Sequence, residues 1–329
     1  MKICQDLLSD YNIHKIKRYG KQATKPLYSV LRLVILISIG FVILYPLFYM
    51  IVTSVQSKEA FLNSARVWIP KSFSIKENYA FAIDALNYGE ALISTLKYEV
   101  LSALIQVCTC AVAAYGFARF KFKELGILKA VLFLTILIPD MMLLIPRMIN
   151  YSHLDFLGIF GLLNDLTGID IRPNILDSGG VFWLPSLFGV GLRSGILIFI
   201  YIQFFSGLPK ELEEAAWVDG AGPFRTFLSI AVPSSGVVIL TVTIFSLIWH
   251  WNDSLLSGMY LTEDYPLAMT LKMMPTALSK FNILVSVRNP ESMAYLMAGC
   301  VLFIAPMLIM YMIVQRWFIE SIDRVGITG

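Results

Sequence analysis

The sequence predicts an all-α integral membrane protein with six transmembrane helices, and three observations support this prediction. Of the 329 residues, 57% are hydrophobic and 15% are charged, whereas a soluble domain carries about 25% charged residues. The mean hydropathy is +0.71. Several apolar runs are long enough for a helix of about 20 residues to cross about 30 Å of hydrocarbon, where a helix satisfies its own backbone hydrogen bonds.

Four of the six spans each contain a long apolar run without an ionised side chain. These runs are 33–52, 100–118, 232–251 and 293–314. Around them the sequence predicts helices over about 30–53, 95–118, 232–252 and 293–314.

The other two spans are interrupted. The span over about 128–149 carries two prolines and the carboxylate of Asp140, so it is predicted to be a kinked crossing. The stretch over about 185–207 is apolar except for Arg193, and neither of its halves is long enough to cross alone. A single tilted helix is the predicted structure there.

The distribution of basic residues predicts which side of the membrane each loop occupies. Six crossings place both chain ends on one side, and Lys and Arg are dense in the segment 1–29 and in the short loop after the second span. The positive-inside rule makes these segments cytoplasmic, together with the loop 208–231 and the tail 315–329. Residues 30–318 are predicted to form one membrane domain. No cleavage pattern follows the first helix, which is expected to stay attached.

The loop 208–231 has the pattern of a helix, a turn and a second helix. Pro209 suits the first turn of one helix, and Pro223 suits the first turn of the next. Gly220 can end the first helix by adopting a left-handed conformation. The sequence therefore predicts an elbow of two short helices lying against the membrane.

The residue types in this elbow suit contact with a partner. Ala215 and Ala216 are small enough for another backbone to come close, and Glu214 and Asp219 can pair with basic groups. The alternative is an amphipathic helix resting on lipid headgroups. These residues alone leave both interpretations open.

The order of residues in the elbow resembles that of a known family. The stretch E-A-A-x-x-D-G-A at 214–221, followed by Phe227, Ile230 and Pro233, is similar to the EAA loop of bacterial binding-protein-dependent ABC importer permeases. In that family the loop fits into a cleft on the ATP-hydrolysing subunit and transmits its closure to the membrane helices.

Other segments resemble the carbohydrate-uptake branch of that family, specifically the six-helix partner of the maltose-type permease pair. They include AYGFARF at 114–120, the Trp251-Asn252 pair and YPL at 265–267. The likeness runs from about residue 30 to the C-terminus. Two segments depart from the pattern: the external segment 165–182 is longer than expected, and the tail is more acidic.

The resemblance implies a type I ABC importer permease-like fold in the cytoplasmic membrane of a prokaryote, and a sugar or oligosaccharide as the solute. It also implies a second permease in a heterodimer, two cytoplasmic ATPase subunits that bind ATP and Mg, and an extracytoplasmic solute-binding protein. The residues implied in coupling to the ATPase are Glu214, Ala215, Ala216, Asp219, Gly220, Ala221, Phe227, Ile230 and Pro233.

Several kinds of function lack their sequence signatures. No G-x-x-x-x-G-K-(S/T) motif occurs, so ATP hydrolysis is expected on a separate subunit and this chain is not expected to be an enzyme or to carry a cofactor. The three histidines are far apart in sequence, and Cys108 and Cys110 point to different faces of a helix, so no metal site is expected. A net charge of +3 leaves no basic patch for nucleic acid.

Four residues are candidates for the solute path, namely Trp249, Trp251, Asn252 and Asp140. An aromatic ring could stack on a sugar ring, and the amide or carboxylate could bind its hydroxyls. The aromatic residues could equally form an interfacial belt, and Asp140 could pair with Lys or Arg inside the protein. Glycerol phosphate as the solute, a membrane-embedded enzyme and a secondary transporter are the alternative functions.

Overall fold

In the computed structural model, residues 2–57, 72–155, 158–168, 171–286 and 289–326 are described, with side chains from 28 to 317. Within these ranges the regular structure is helical, apart from one isolated antiparallel bridge between Gln56 and Phe73. The α-helices are α1 Lys2–Val55, α2 Ile75–Ala85, α3 Tyr88–Ser94, α4 Leu101–Arg119, α5 Leu125–Leu137, α6 Leu144–Ser152, α7 Ile159–Thr167, α8 Gly180–Leu187, α9 Ser194–Gly207, α10 Lys210–Val218, α11 Pro223–Thr226, α12 Val232–Ser234, α13 Gly236–Trp251, α14 Leu255–Tyr260, α15 Leu267–Lys280 and α16 Pro290–Gly326.

Three helices are each long and apolar enough to cross a membrane alone. They are Tyr28–Val55, Tyr88–Arg119 and Pro290–Trp317. The second of these joins α3 to α4 through a π-helical turn, Thr95–Val100. Three bent helix pairs also have the required length and composition, which gives up to six crossings within the described residues.

The kink predicted in the third span is a sharp break. Leu125–Leu137 and Asp140–Ser152 meet at an angle of 99°. Ile138 has an extended backbone with ψ 120, and Pro139 follows it. Proline supplies no N–H and excludes the residue before it from the helical region, so α5 ends here and a 3₁₀ turn, Asp140–Leu143, leads into α6.

The prediction of one tilted helix over 185–207 is wrong. Helix α8 ends at Leu187, and α9 begins at Ser194. Gly189 and Arg193 between them have positive φ angles of 69° and 54°, which a right-handed helix cannot contain. The Gln106 side-chain amide of α4 stabilises the break, because its nitrogen donates to the carbonyl of Leu192 at 2.7 Å.

The core lies where α4 packs against α8, α9 and α13. Small buried residues on α4, such as Ala103, Cys110 and Ala114, let the neighbouring helices approach closely. Tyr201 and Phe205 of α9 fill the space beside them and are fully buried. In the most apolar stretch of Tyr88–Arg119, which contains α4, 44% of the residues are buried. The corresponding buried fractions are 6% for α1 and 11% for α16. Helices α1 and α16 therefore pack against each other at the edge of the fold.

Candidate functional site

The elbow begins with α10, which ends as the sequence predicts. Gly220 has a φ of +82°, in the left-handed region. Its N–H donates to the carbonyl of Trp217 at 3.0 Å, and the N–H of Ala221 donates to the carbonyl of Ala216 at 2.9 Å. These two bonds make a Schellman motif, which satisfies carbonyls that the helix end would leave free. The turn is therefore hydrogen-bonded and has one defined shape.

The second half of the elbow leads directly into a membrane helix. Pro223 is the first residue of α11, as the sequence predicts. A π-helical turn, Phe227–Ala231, and the short helix α12 follow. The segment Pro223–Ser234 then meets Gly236–Trp251 at 84°. Few residues therefore separate the elbow from α13.

A buried ion pair fastens the elbow to α4. The Nε of Arg119, the last residue of α4, lies 2.9 Å from Oε1 of Glu213, and both side chains are almost fully buried. Arg119 Nη2 also donates to the carbonyl of Leu208 at 2.8 Å, just before α10. A buried charge without its partner is costly, so this pair holds α10 in place.

The sequence does not predict this pair. Glu213 is one of three glutamates near the start of α10, and Arg119 directly follows the apolar run 100–118. One signal was available, because Glu211 and Glu214 are three residues apart and share a helix face that Glu213 does not share. Nothing in the local sequence identifies Arg119 as the partner.

An aromatic cluster holds the other half of the elbow. The ring centroid of Phe227 lies 5.0 Å from that of Tyr115 on α4 and 6.3 Å from that of Phe205 on α9. Tyr115 and Phe205 are in edge contact at 5.7 Å. Phe227 is buried. This predicted coupling residue therefore packs inside its own chain, where it can transmit force but cannot contact a partner directly.

The elbow exposes several large apolar side chains among charged ones, which include Lys210, Glu211 and Arg225. We define the elbow surface as the exposed side chains Leu212, Glu214, Ala215, Trp217, Val218, Asp219, Phe224 and Leu228. Val218 is 87% exposed and Phe224 is 65% exposed. Of the other predicted coupling residues, Gly220 and Pro233 are exposed, and Ala216, Ala221 and Ile230 are half-buried. Large exposed apolar groups rimmed by carboxylates are typical of a protein interface.

A second polar region lies near the far ends of α4 and α13. Nδ1 of His250 lies 3.0 Å from Oε2 of Glu99, and Nε2 of His250 lies 3.0 Å from Oε1 of Gln106. The hydroxyl of Ser257 donates to Oε1 of Glu99 at 2.9 Å, and the hydroxyl of Ser246 donates to Oε1 of Gln106 at 2.9 Å. All five side chains are buried.

The net charge of this network follows from which of its groups donate hydrogen bonds and which accept them. The Gln106 nitrogen donates to a backbone carbonyl, so Oε1 of Gln106 must accept, and Nε2 of His250 must carry a hydrogen. Nδ1 of His250 then either donates to a carboxylate or accepts from a protonated Glu99. In both cases the pair shares one proton and has no net charge, which suits a buried site.

The four predicted path residues do not form one site. Trp251 is buried, and its Nε1 donates to the carbonyl of Phe303 on α16 at 3.2 Å. Trp249 is half-buried, and the guanidinium of Arg193 lies 5.1 Å from its ring centroid. Asn252 is exposed and donates to its own helix at Ile248. The two tryptophans therefore contact different parts of the chain.

Asp140 lies half-buried in the 3₁₀ turn between α5 and α6. The alternative of a structural ion pair finds no support within the described ranges, where Asp140 has no Lys or Arg partner. Those ranges also hold no group of three or more His, Cys, Asp or Glu residues that could bind a metal ion.

The segment after α7 is attached to the end of α14. Both carboxylate oxygens of Asp177 accept hydrogen bonds from Thr262, one from its backbone N–H and one from its hydroxyl, each at 2.8 Å. These bonds hold the pKa of Asp177 below its ordinary value, since they favour the charged form. Asp177 N–H donates in turn to the carbonyl of Tyr260.

Comparison with known proteins gives consistent matches along the chain. The "Probable starch degradation products transport system permease protein AmyC" of Thermoanaerobacterium thermosulfurigenes is 27% identical over 84% of this chain and 89% of its own length. The "Melibiose/raffinose/stachyose import permease protein MelC" of Bacillus subtilis is 23% identical over 86% and 91%. The "sn-glycerol-3-phosphate transport system permease protein UgpE" of Yersinia pestis is 24% identical over 71% and 73%.

A solved structure has the same fold. It is described as a bacterial ABC transporter involved in the import of the acidic polysaccharide alginate, and the superposition has a TM-score of 0.66. It covers 90% of this chain and 98% of the matched chain, at 18% identity. Residues 16–324 match the family described as "Binding-protein-dependent transport system inner membrane component". With its helical membrane fold and anchored elbow, the chain belongs to this family of ABC importer permease subunits.

Proposed function

We propose that this chain is the permease subunit of an ATP-driven importer that moves a sugar or oligosaccharide across the cytoplasmic membrane. The observation that carries the proposal is the elbow, which exposes apolar side chains outward and is fastened inward by the Arg119–Glu213 pair. The printed names of two relatives, a starch-product permease and a melibiose/raffinose/stachyose permease, support a carbohydrate solute.

The partners follow from this assignment. A second permease forms a heterodimer with this chain, two cytoplasmic ATPase subunits bind ATP and Mg, and an extracytoplasmic binding protein delivers the solute. Both chain termini and the elbow lie in the cytoplasm, as the basic segments 1–29 and 119–129 support. The elbow surface receives one ATPase subunit. Glu214 and Asp219 make its charged rim, and Ala215 allows close approach.

Coupling runs through the contacts inside the elbow. When the ATPase pair closes on ATP, it moves α10 as a rigid body, because the Schellman turn and the buried ion pair resist bending. Arg119 passes the movement to α4, Phe227 passes it to α9 through Phe205, and the 84° junction passes it to α13. The membrane helices then exchange inward-open and outward-open arrangements.

Coupling at the elbow surface is tested with one exposed apolar residue and a matched control. Val218→Glu places a charge on the elbow surface and is expected to abolish copurification of the ATPase subunit, because burying an unpaired carboxylate in an interface is costly. Leu284→Glu changes a residue of similar exposure, 77%, on the predicted external side and should leave the complex intact. Normal assembly of the Val218→Glu complex would remove the elbow surface from the interface.

Glycerol phosphate is the second candidate solute, because one relative is named as a glycerol-3-phosphate permease. The two candidates are separated by measuring how the reconstituted complex takes up each of four solutes: melibiose, raffinose, diacetylchitobiose and sn-glycerol 3-phosphate. Preference for one of the sugars supports the proposal. Uptake of glycerol phosphate alone would replace the carbohydrate assignment, and uptake without an ATPase subunit would indicate a secondary transporter instead.

A further inference from the structure

A narrow crevice with a largely apolar lining and a few polar groups lies beside His250, between α6, α8, α13 and α14. Its wall includes Arg147, Tyr151, Ser186, Leu192, His250 and Tyr260. The four path candidates taken from the sequence do not line it. The crevice therefore belongs neither to the elbow nor to the residues that the sequence pointed to.

Two hydroxyl groups in this wall have no hydrogen-bond partner among the described residues. They are Oγ of Ser186 and the phenol oxygen of Tyr260. Ser186 is fully buried, and Tyr260 is 3% exposed. Native proteins rarely leave buried hydroxyls unpaired, because each costs free energy to remove from water. The two hydroxyls are therefore suited to a polar group that enters from outside the chain.

Gly191 packs closely against Ser186 at this point. A Cβ added to Gly191 would lie 2.8 Å from Ser186 Oγ, which is too close unless a neighbour shifts, so glycine is the residue that fits beside the hydroxyl. The free volume is about 20 Å³, and a single water molecule needs about 10–15 Å³ of such space. The crevice therefore accepts one hydroxyl-sized group and no more in this conformation.

Other wall residues have contacts of their own. Both ring nitrogens of His250 are already engaged, with Glu99 and Gln106. Leu192 is held by the Gln106 amide, and Tyr260 packs edge-on against Tyr151 at 5.2 Å. A hydroxyl both donates and accepts, so Ser186 and Tyr260 can bind another hydroxyl in either direction.

We propose that this crevice binds one hydroxyl group of the transported solute, which makes this subunit a direct contributor to solute recognition. The inference rests on the proposed function. Water fills the place between transport cycles, and the solute hydroxyl replaces it with equivalent hydrogen bonds. The ligand class is a polyhydroxylated solute.

The test compares uptake of the preferred panel sugar with uptake of its monodeoxy analogues by the full complex. The binding protein is the same in every experiment, so a changed ratio reports on the permease. The wild-type complex should discriminate against at least one analogue. Tyr260→Phe and Ser186→Ala should each reduce that discrimination by about 3- to 10-fold, as expected for one hydrogen bond. Gly191→Ala, whose methyl group would press on the Ser186 hydroxyl, should lower uptake of the parent sugar.

Tyr201→Phe is the matched control. Its hydroxyl is also buried without a partner, but it lies in the core of α9 and not in the crevice. This variant should keep the wild-type ratio. If Tyr260→Phe and Ser186→Ala also keep it while the complex still transports the sugar, the crevice is a structural water site and the inference is wrong. If the wild-type complex transports no sugar at all, the proposed function fails first.

Discussion

At the scale of single residues, the Arg119–Glu213 pair explains how a polar loop becomes part of the membrane domain. Each side chain is at least nine-tenths buried, and the guanidinium also binds the Leu208 carbonyl. Neighbouring Glu214 is exposed. Two adjacent carboxylates therefore have different roles, one holding the elbow to α4 and the other facing outward.

This difference predicts that replacing Glu213 lowers stability and replacing Glu214 does not. Glu213→Ala leaves the Arg119 charge buried without its partner, which typically costs about 3–5 kcal/mol. Thermal unfolding of the purified subunit in detergent should shift to lower temperature, and uptake should be lost. Glu214→Ala should leave the unfolding temperature unchanged. Equal unfolding temperatures for Glu213→Ala and wild type would show that the pair does not hold the elbow.

At the scale of elements, the elbow depends on the conformation of one glycine. Gly220 has a φ of +82° and Gly222 has a φ of −74°, and a Cβ would meet no neighbouring atom at either position. The two glycines thus differ in backbone conformation and not in the space around them. A side chain at Gly220 is therefore strained, and one at Gly222 is not.

The variants Gly220→Val and Gly222→Ala distinguish the effect of backbone conformation from the effect of side-chain contacts. The first should destabilise the turn by about 1–2 kcal/mol or more, because a β-branched residue is disfavoured in the left-handed region. Solute-stimulated ATP hydrolysis by the assembled complex should fall with it. Gly222→Ala should retain wild-type hydrolysis. Full coupling in the Gly220→Val complex would mean that the turn need not be rigid.

At the scale of the whole molecule, the Glu99–His250–Gln106 network joins segments far apart in sequence. His250 and Glu99 are separated by 151 positions, and Gln106 also reaches the break before α9. The shared proton leaves the network without net charge, so its contribution comes from hydrogen bonds between helices. In a bilayer such bonds and close packing take the place of hydrophobic burial in holding helices together.

This view predicts how substitutions at Glu99 rank. Glu99→Gln keeps both contacts, because the amide can donate to Nδ1 of His250 and accept from Ser257. The complex should unfold near the wild-type temperature. Glu99→Ala leaves Nδ1 of His250 unpaired, at about 1–3 kcal/mol, although the Ser257 hydroxyl keeps its bond to the Asp253 carbonyl at 3.1 Å. This variant should unfold at a clearly lower temperature. If the two variants were equally unstable, the proton or charge of Glu99 would matter more than the hydrogen bonds.

The sequence by itself determined the helical membrane class and the shape of the elbow. The length of the apolar runs identifies the membrane crossings. The turn at Gly220 and the helix start at Pro223 depend on the backbone conformation of those residues, so the local sequence is enough to predict them. The sequence did not predict the break between α8 and α9, the partner of Glu213 or the crevice. Gln106, Arg119 and Tyr260 reach these three sites only because segments distant in sequence pack together in the fold. The tertiary structure therefore decided which polar groups are paired and which two hydroxyls of the crevice are left without a partner.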